Sequence, residues 1–278
     1  MRPVFFPSTA AELFALQHAH PDARLMAGGT DLLVRLRHGS ADTRPLVCLE
    51  RLGGLREIVA SGDGLLIGAG VSMARLAQDP LVARHCPVLA AAAATVGGPA
   101  LRTMATLGGN LCTASPAGDT LPALHVLGAR LLLRSAGGAR EVDMAGFITG
   151  PGRTTLQPGE LLVGVHVPDS RAFATQHFEK VGRRQALAIA VASLAALLRF
   201  DDEGRVAEAR LAWGSVGPVI VGSPEAEAAL VGRTLSRESL GAAAALARAA
   251  ASPIDDVRAS AHYRRQLVGN LLFRLLPA

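Results

Sequence analysis

Two pairs of adjacent glycines, each between a strand-like and a helix-like segment, constrain the fold of this chain more than any other feature. The first pair lies in Ala27-Gly28-Gly29-Thr30-Asp31 and the second in Thr106-Leu107-Gly108-Gly109-Asn110. Glycine has no Cβ and adopts positive φ at little cost, so the backbone amides of such turns can converge on one anion. Each pair therefore predicts either a phosphate-binding loop or a plain turn, and a plain turn is the commoner case.

The segments around these turns alternate between strand and helix patterns, which predicts an α+β fold. Thr9 and Glu12 have the spacing of a capping box, so a helix should begin there and end near His20-Pro21. Thr30 or Asp31 is a candidate cap for a helix after the first glycine pair. Further strands are predicted at residues 24–26, 46–49, 57–60, 65–68, 129–133, 140–143 and 160–167, and helices from about 72 to 96, with an interruption near Pro87.

The length of 278 residues predicts two domains. We place their boundary after Pro168-Asp169-Ser170, which gives domains 1–170 and 171–278. In the second domain, Ala186 to Phe200 is alanine-rich, but the turn sequence Asp201-Asp202-Glu203-Gly204 and a return strand from Val206 to Trp213 favour a strand there. Residues 236–250 and 259–275 carry apolar side chains at helical spacing.

Composition excludes several classes of protein. Half of the residues are apolar, yet no uninterrupted apolar run reaches the ~18 residues of a membrane span, so we expect a soluble protein. The segment Met1 to Pro7 lacks the long apolar core of a secretory signal, and we therefore expect a cytoplasmic location. The net charge of +5 comes from scattered arginines rather than one basic run, which argues against nucleic-acid binding.

The cysteines and histidines do not predict a metal site. Cys48, Cys86 and Cys112 include no Cys-x-x-Cys pair, which argues against a disulfide framework and against a cysteine-ligated cluster in this chain. Cys112 lies in the second glycine segment but has no cysteine nearby, so we expect a small packed side chain rather than a redox thiol. The histidines at positions 85, 125, 166 and 177 show no metal-ligand spacing.

The glycine motifs resemble those of the FAD-binding subunits of the xanthine dehydrogenase and carbon monoxide dehydrogenase family of molybdenum hydroxylases. The flavin domain of that family has paired loops of the forms Ala-Gly-Gly-x-Asp/Ser and Thr-Ile/Leu-Gly-Gly-Asn, and both occur here in order. Segments 178–184 and 259–265 extend the resemblance over essentially the whole chain. It implies a two-part FAD-binding domain of the PCMH type, followed by a smaller α+β domain with an antiparallel sheet and helices.

The resemblance also implies the residues that bind FAD. The amides of Ala27 to Asp31 and of Thr106 to Asn110 would hold the pyrophosphate, with hydroxyl contacts from Thr30 and Thr113. Asp119 would accept from hydroxyls of the sugar-like chain of the cofactor. The full implied set is Ala27, Gly28, Gly29, Thr30, Asp31, Thr106, Leu107, Gly108, Gly109, Asn110, Thr113, Asp119, Leu162 and Lys180.

Three of these residues have further implied or alternative roles. The family pattern places Leu162, at the end of the last strand of the flavin domain, against the ring system, and Lys180 near the flavin. A cation near the N1/O2 edge of the ring would stabilise the reduced anionic flavin and raise its potential. Alternatively, Lys180 is a solvated surface lysine. Asp119 could also cap the helix that begins at Thr120-Leu121-Pro122, and this role does not exclude binding.

The family implies a function in electron relay. A large molybdopterin-binding subunit would oxidise the substrate, a small iron–sulfur subunit would pass single electrons, and FAD on this chain would deliver them to an external acceptor. The implied assembly is a dimer of heterotrimers. From the many apolar and few aromatic residues we also expect an exposed apolar patch that docks the iron–sulfur subunit. Residues 115–119 run straight through the place where some relatives carry a cysteine-rich insertion, so no additional cluster is expected here.

On this interpretation no side chain of the chain is a catalytic acid, base or nucleophile, because the cofactor does the chemistry. The competing hypotheses are a self-sufficient FAD-dependent oxidase of the same domain type and a scaffold that has lost its cofactor. The oxidase would need its own base in a substrate pocket, for which the sequence offers no candidate histidine or tyrosine. The sequence does not indicate the substrate of the complex or the electron acceptor.

Overall fold

The computed structural model describes residues 2–38, 42–184 and 187–276. The chain begins with a small three-stranded parallel sheet. Its strands are Val4–Phe5 (β1), Arg24–Met26 (β2) and Leu46–Cys48 (β3), its helices are Ala10–Ala19 (α1) and Leu32–His38 (α2), and a 3₁₀ turn follows at Leu49–Arg51. The strand order is β1-β3-β2, so the first glycine pair joins an edge strand to α2.

Helix α1 begins as the sequence predicts. Thr9 Oγ1 accepts from the amide of Glu12 at 3.2 Å, which satisfies one of the unpaired amides of the first turn. The Glu12 carboxylate accepts from the amide and the hydroxyl of Ser8, one residue before the predicted partner. The helix ends at Ala19, just before His20-Pro21, as expected.

The middle of the chain forms an antiparallel sheet that is covered by helices. The sheet strands are Ile58–Ser61 (β4), Gly64–Gly68 (β5), Arg130–Ser135 (β6), Gly138–Asp143 (β7) and Leu161–Pro168 (β10), with a separate pair Ile148–Gly150 (β8) and Arg153–Thr154 (β9). The sheet order is β4-β5-β10-β6-β7. The helices are Met73–Gln78 (α3), Pro80–His85 (α4), Pro87–Ala94 (α5), Pro99–Met104 (α6), Leu107–Thr113 (α7), Thr120–Val126 (α8) and Met144–Phe147 (α9).

The rest of the chain is an antiparallel sheet with helices on one face. The strands are Thr175–Val181 (β11), Ala192–Phe200 (β12), Val206–Gly214 (β13) and Val221–Gly222 (β14), in that order across the sheet. The helices are Pro224–Leu230 (α10), Arg237–Ala250 (α11) and Ala261–Leu272 (α12), and Phe273–Leu275 is a 3₁₀ turn. The predicted α+β architecture is thereby confirmed.

The alanine-rich segment is a strand, as the turn after it predicts, but only from Ala192 onward. Residues 188–191 precede the strand, and Ala186 lies outside the described residues. The strand is buried on both faces. Ala195 and Leu197 join the core of the middle unit, whereas Leu194 and its neighbours on the same face pack under the C-terminal helices. This double burial overrides the helix propensity of alanine.

Because β12 and β13 contribute to the core of the middle unit, the packing is continuous across the predicted boundary between residues 170 and 171. That boundary stays a prediction.

Two local expectations are wrong. The second glycine pair, expected in a turn or a phosphate-binding loop, lies in the first turn of α7, and the side chain of Asp119 makes no capping hydrogen bond to α8. Within the described chain, no helix has both the length and the apolar character needed to cross a bilayer.

Candidate functional site

Two adjoining clefts lie beside the two glycine pairs. The first, with a volume of about 510 Å³, is called the Leu162 cleft; the second, of about 440 Å³, is called the Val96 cleft. The Leu162 cleft is lined by Leu55, Ala69, Ser72, Arg75, Leu156 and Leu162, among others. The Val96 cleft is lined by Met26, Thr30, Asp31, Val96, Leu101 and Thr113, among others. Both clefts share Ala27, Gly28, Thr106, Gly109 and Cys112.

The first glycine pair packs backbone against backbone. A Cβ on Gly28 would lie 1.7 Å from the carbonyl oxygen of Met104, the last residue of α6, so no other residue fits there without movement. Gly29 has a φ of +71°, which glycine adopts without strain. The amides of residues 28–31 donate to no oxygen of the described residues. This loop is therefore closely packed on one side and presents free donors on the other.

The second glycine pair lies in the first turn of α7, and its amides are already engaged. The amide of Leu107 donates to Val71 O at 2.9 Å and that of Gly108 donates to Ala69 O at 2.7 Å. The amide of Gly109 donates to Thr106 Oγ1 at 3.1 Å, which caps the helix. The normally unpaired amides of this helix start are thus satisfied within the chain, unlike those of the first loop. Gly109 instead gives both clefts a surface without a side chain.

The two loops are linked by side chains. Thr113 Oγ1 donates to Asp31 Oδ2 at 3.5 Å, and the same oxygen of Asp31 lies 2.8 Å from Arg35 Nε. Half of each side chain of the Asp31–Arg35 pair is exposed, so this pair contributes little to stability. Behind the Val96 cleft, Thr120 Oγ1 donates to Asn110 Oδ1 at 2.6 Å, which connects the second loop to α8.

Asp119 and Lys180 form a buried ion pair between the middle unit and the C-terminal sheet. Lys180 Nζ donates to Asp119 Oδ2 at 2.6 Å and to Thr95 O at 3.0 Å. Burial raises the pKa of Asp119 to about 6, and Lys180 offsets part of that effect. Asp119 Oδ1 is buried and has no hydrogen-bond partner among the described residues. The interpretation of Lys180 as a solvated surface residue is wrong, since its side chain is 9% exposed.

The structure separates residues that the resemblance placed at one ring. Leu162 lines the Leu162 cleft and is the second residue of β10, so it lies near the start of that strand and not at its far end. Lys180 instead binds the carbonyl of Thr95, next to Val96 in the other cleft. Neither Asp119 nor Lys180 lines either cleft among the described residues.

Several lining residues carry no motif and were missed by the sequence reasoning. Val96 and Leu101 give the Val96 cleft an apolar wall, and Arg56 and Arg75 lie at the Leu162 cleft. Cys112, expected to be packed, is exposed and lines both clefts. A turn signal at Gly97-Gly98 marks the neighbourhood of Val96 in the sequence, but nothing local marks the arginines.

The described residues contain no group of three or more histidine, cysteine, aspartate or glutamate side chains placed to hold a metal ion.

The comparisons with known proteins decide the family. Residues 1–170 match the family profile of the FAD binding domain in molybdopterin dehydrogenase, and residues 176–278 match that of the CO dehydrogenase flavoprotein C-terminal domain. The chain belongs to the family of FAD-binding subunits of xanthine dehydrogenase and carbon monoxide dehydrogenase. The predicted family, an oxidoreductase subunit with FAD as its cofactor, is thereby confirmed. Which residues contact the FAD stays a prediction.

Individual relatives match over nearly the whole chain. The xanthine dehydrogenase FAD-binding subunit of Escherichia coli O157:H7 is 33% identical over 97% of this chain and 92% of its own. The carbon monoxide dehydrogenase medium chain of Hydrogenophaga pseudoflava is 30% identical over 98% of this chain and 94% of its own. The solved structure of quinoline 2-oxidoreductase from Pseudomonas putida 86 has 31% identity and a TM-score of 0.94, covering 99% of this chain and 95% of that one. The chain thus shares the fold of this relative over nearly its whole length.

Proposed function

We propose that this chain holds FAD across the Leu162 and Val96 clefts and relays electrons from the iron–sulfur clusters of a partner subunit to an external acceptor. The observation that carries the proposal is the position of the amides of residues 28–31, which donate to no acceptor among the described residues. Gly28 lines both clefts, and residues 29–31 line the Val96 cleft directly beside it. A dinucleotide has its phosphates in the middle and a ring system at each end. The segment of residues 27–31, whose first two residues line both clefts, therefore suits the pyrophosphate, and each cleft suits one end.

The residues present fit such a cofactor. The amides of residues 28–31, which have no acceptor in the described part of the chain, supply donors for an anion, and Gly109 leaves room for the ligand to lie against the backbone of α7. The two cleft volumes lie within the usual range of ligand pockets, about 300 to 1,000 Å³. The buried, unpartnered Oδ1 of Asp119 has capacity to accept one hydroxyl hydrogen.

We base the assignment of the two ends of the cofactor on the position of Lys180. Because Lys180 contacts Thr95 beside Val96, we place the flavin end in the Val96 cleft and the adenosine end in the Leu162 cleft, against Leu162 and Ala69. This assignment changes the predicted role of Leu162, which then contacts the adenosine end and not the flavin. Leu107, which the resemblance includes among the FAD-binding residues, is fully buried. It would support the second loop without contacting the cofactor.

FAD, when bound, supplies a group that accepts and releases electrons. The contribution of the chain is positional and electrostatic. Residues 28–31 would bind the phosphates, and Val96 and Leu101 would exclude water from one face of the Val96 cleft. Lys180 and its partner Asp119 lie next to that cleft, where their charges would contribute to the electrostatic potential at the bound group. No side chain is proposed to act as an acid, base or nucleophile.

An exposed apolar surface provides a docking site for the iron–sulfur partner. Leu187, Ile189, Ile254 and Val257 are 58%, 64%, 70% and 92% exposed, and together they are called the apolar patch. Arg183 donates to Val257 O at 3.0 Å, which ties the two segments of the patch together. The side chain of Leu187 also reaches Gly98, close to the Val96 cleft. An electron donor docked here would lie close to the proposed flavin end.

The first experiment isolates the chain from its native cells with its co-purifying proteins, and records the visible spectrum. The bound flavin is then released with acid and identified by chromatography. FAD together with iron–sulfur absorbance supports the relay. FAD that is reduced directly by a small substrate, without iron, would instead favour a self-sufficient oxidase. Absence of flavin from the assembled complex, even after FAD is added, would contradict the proposal.

The docking surface is tested with Val257→Asp, which places a charge at the most exposed side chain of the apolar patch. We expect the iron content that co-purifies with the variant to fall at least fivefold, while its bound FAD is unchanged. Val231→Asp is the control, because Val231 is 47% exposed and directly follows α10. The amide of the next residue, Gly232, donates to Val206 O at the start of β13, whereas the patch lies near the other end of that strand. Equal iron content in both variants would contradict docking at the apolar patch.

A further inference from the structure

A buried arginine in the C-terminal unit bridges two strand ends next to the proposed site. The side chain of Arg264, on α12, is 1% exposed. Its Nη1 donates to Val191 O at 2.9 Å and to Ser215 O at 3.0 Å, and its Nη2 donates to Asp256 Oδ1 at 2.6 Å. Removal of a buried charged donor leaves its acceptors unpaired, so such a group holds its partners in one geometry.

The first of these carbonyls leads to Lys180. Val191 directly precedes β12, and its amide donates to Val181 O at 2.7 Å. In the ladder between β11 and β12, Val181 pairs with Ala192 and Lys180 pairs with Ser193. The Val191 carbonyl therefore anchors the end of the sheet at which Lys180 lies.

The second carbonyl leads to the segment that ends at Asp119. Ser215 directly follows β13, and its amide donates to Pro116 O at 2.8 Å. The φ of Ser215 is +65°, a left-handed conformation that is unfavourable for a residue with a Cβ. The bonds from Arg264 and to Pro116 hold it there. Pro116 follows Ser115, which lines the Val96 cleft, and lies three residues before Asp119.

We propose that Arg264 is a positioning residue of the cofactor site, which sets Lys180 against Asp119 by bridging the ends of β12 and β13. The inference rests on the proposed function, since it concerns the same site. Arg264 lines neither cleft and does not contact the Asp119–Lys180 pair. Its effect on the cofactor is therefore indirect, and its partner Asp256, shared with Arg258, keeps the guanidinium oriented.

A double-mutant cycle separates this role from plain stabilisation of the C-terminal unit. Arg264→Lys, Lys180→Met and the double variant are titrated with FAD, below the temperature at which any of them unfolds. We expect each single variant to bind FAD about tenfold more weakly, and the double variant to match Lys180→Met within twofold, because Arg264 acts through Lys180. Arg265→Lys, an exposed neighbour on α12, is the control and should bind like the natural chain.

Two results would overturn the inference while leaving the proposed function intact. One is FAD affinity of Arg264→Lys within twofold of the natural chain. The other is a double variant whose loss equals the product of the two single losses. Should Arg264→Lys fail to fold, Asp256→Asn retains both carbonyl bonds and frees the guanidinium on one side. It is expected to weaken FAD binding about threefold, and unchanged affinity would count against the inference.

A second readout needs no cofactor and therefore distinguishes the two proposals. If the natural chain binds no FAD, the proposed function fails, and the inference is then judged on the free protein alone. Lys180 is the ionisable group among the described residues that hydrogen-bonds Asp119. Displacing it in Arg264→Lys should move the pH midpoint of the Asp119-dependent stability upward, as measured by urea unfolding at a series of pH values. An unchanged midpoint would overturn the inference.

Discussion

The two glycine loops look alike in sequence but differ in the use of their backbone amides. In the first loop the amides of residues 28–31 have no acceptor among the described residues, whereas in the second loop those of residues 107–109 donate to Ala69, Val71 and Thr106. The first loop can therefore bind an anion with its backbone. The second contributes a side-chain-free surface at Gly109, and its Asn110 accepts a hydrogen bond from Thr120, the residue after Asp119. A glycine pair thus marks a place where another group packs closely against the backbone. That group can be a ligand or another segment of the same chain.

The largest effect that we predict is that of Gly28→Ala. The added Cβ would lie 1.7 Å from Met104 O, a backbone atom that cannot move without shifting α6. We expect a loss of about 3 kcal/mol or more in the free energy of unfolding, measured with urea, together with loss of FAD binding. Gly53→Ala is the matched control, since a Cβ there meets nothing within 4 Å, and its effect should stay within about 0.5 kcal/mol. A loss below about 1 kcal/mol in Gly28→Ala would show that the loop does not pack against α6.

The second prediction concerns the carboxylates of the two loops. Asp31 is half-exposed, whereas Asp119 is buried and its pKa is raised to about 6 by that burial. A carboxyl group with a raised pKa in the folded state keeps its proton while the unfolded chain loses it. The FAD-free protein should therefore lose up to about 3 kcal/mol of stability from this group as the pH rises from about 4 to about 6.

The contribution of Asp119 is measured as the difference between the pH–stability profiles of the natural chain and of Asp119→Asn. The difference removes the opposite contributions of carboxylates with lowered pKa values, such as Asp169 and Asp256. Asp31→Asn is the comparison variant from the first loop, because Asp31 is half-exposed. Parallel profiles for the natural chain and Asp119→Asn would contradict the prediction.

Local signals in the sequence predicted much of the fold. The cap at Thr9, the turn at Asp201–Gly204 and the strand from Ala192 follow from nearby residues. The start of α7 was missed, because the acceptors of its first amides, Ala69 and Val71, lie more than 30 positions earlier in the chain.

The candidate site was predictable to the extent that its motifs are local. The glycines identified the junction of the clefts, whereas Val96 and Arg75 reach it only through tertiary packing. The Asp119–Lys180 pair joins residues 61 positions apart, so the sequence could name both residues but not their contact. For the same reason the cap expected from Asp119 lost to an ion pair that is not visible locally.

The third prediction tests the surface role of Gly109. In Gly109→Val the new side chain enters the region shared by both clefts and also crowds Thr106 Oγ1, which lies 2.9 Å from the Cβ position. We expect FAD to bind at least tenfold more weakly, as measured by fluorescence titration, and stability to fall by only about 1 kcal/mol, the value of a lost cap. Full FAD occupancy in this variant would show that the ligand does not pass over the second loop.

The smallest predicted effect is at the contact between the two loops. Thr113→Val keeps the shape of the side chain but removes the hydroxyl that donates to Asp31 at 3.5 Å. A hydrogen bond of this length contributes less than the usual 0.5–1.5 kcal/mol, so FAD binding should weaken about threefold or less, with unfolding unchanged. Thr113→Ser retains the hydroxyl and should bind like the natural chain. A loss above tenfold in Thr113→Val, restored in Thr113→Ser, would instead mean that the hydroxyl contacts the ligand itself and that the second loop, too, supplies a donor.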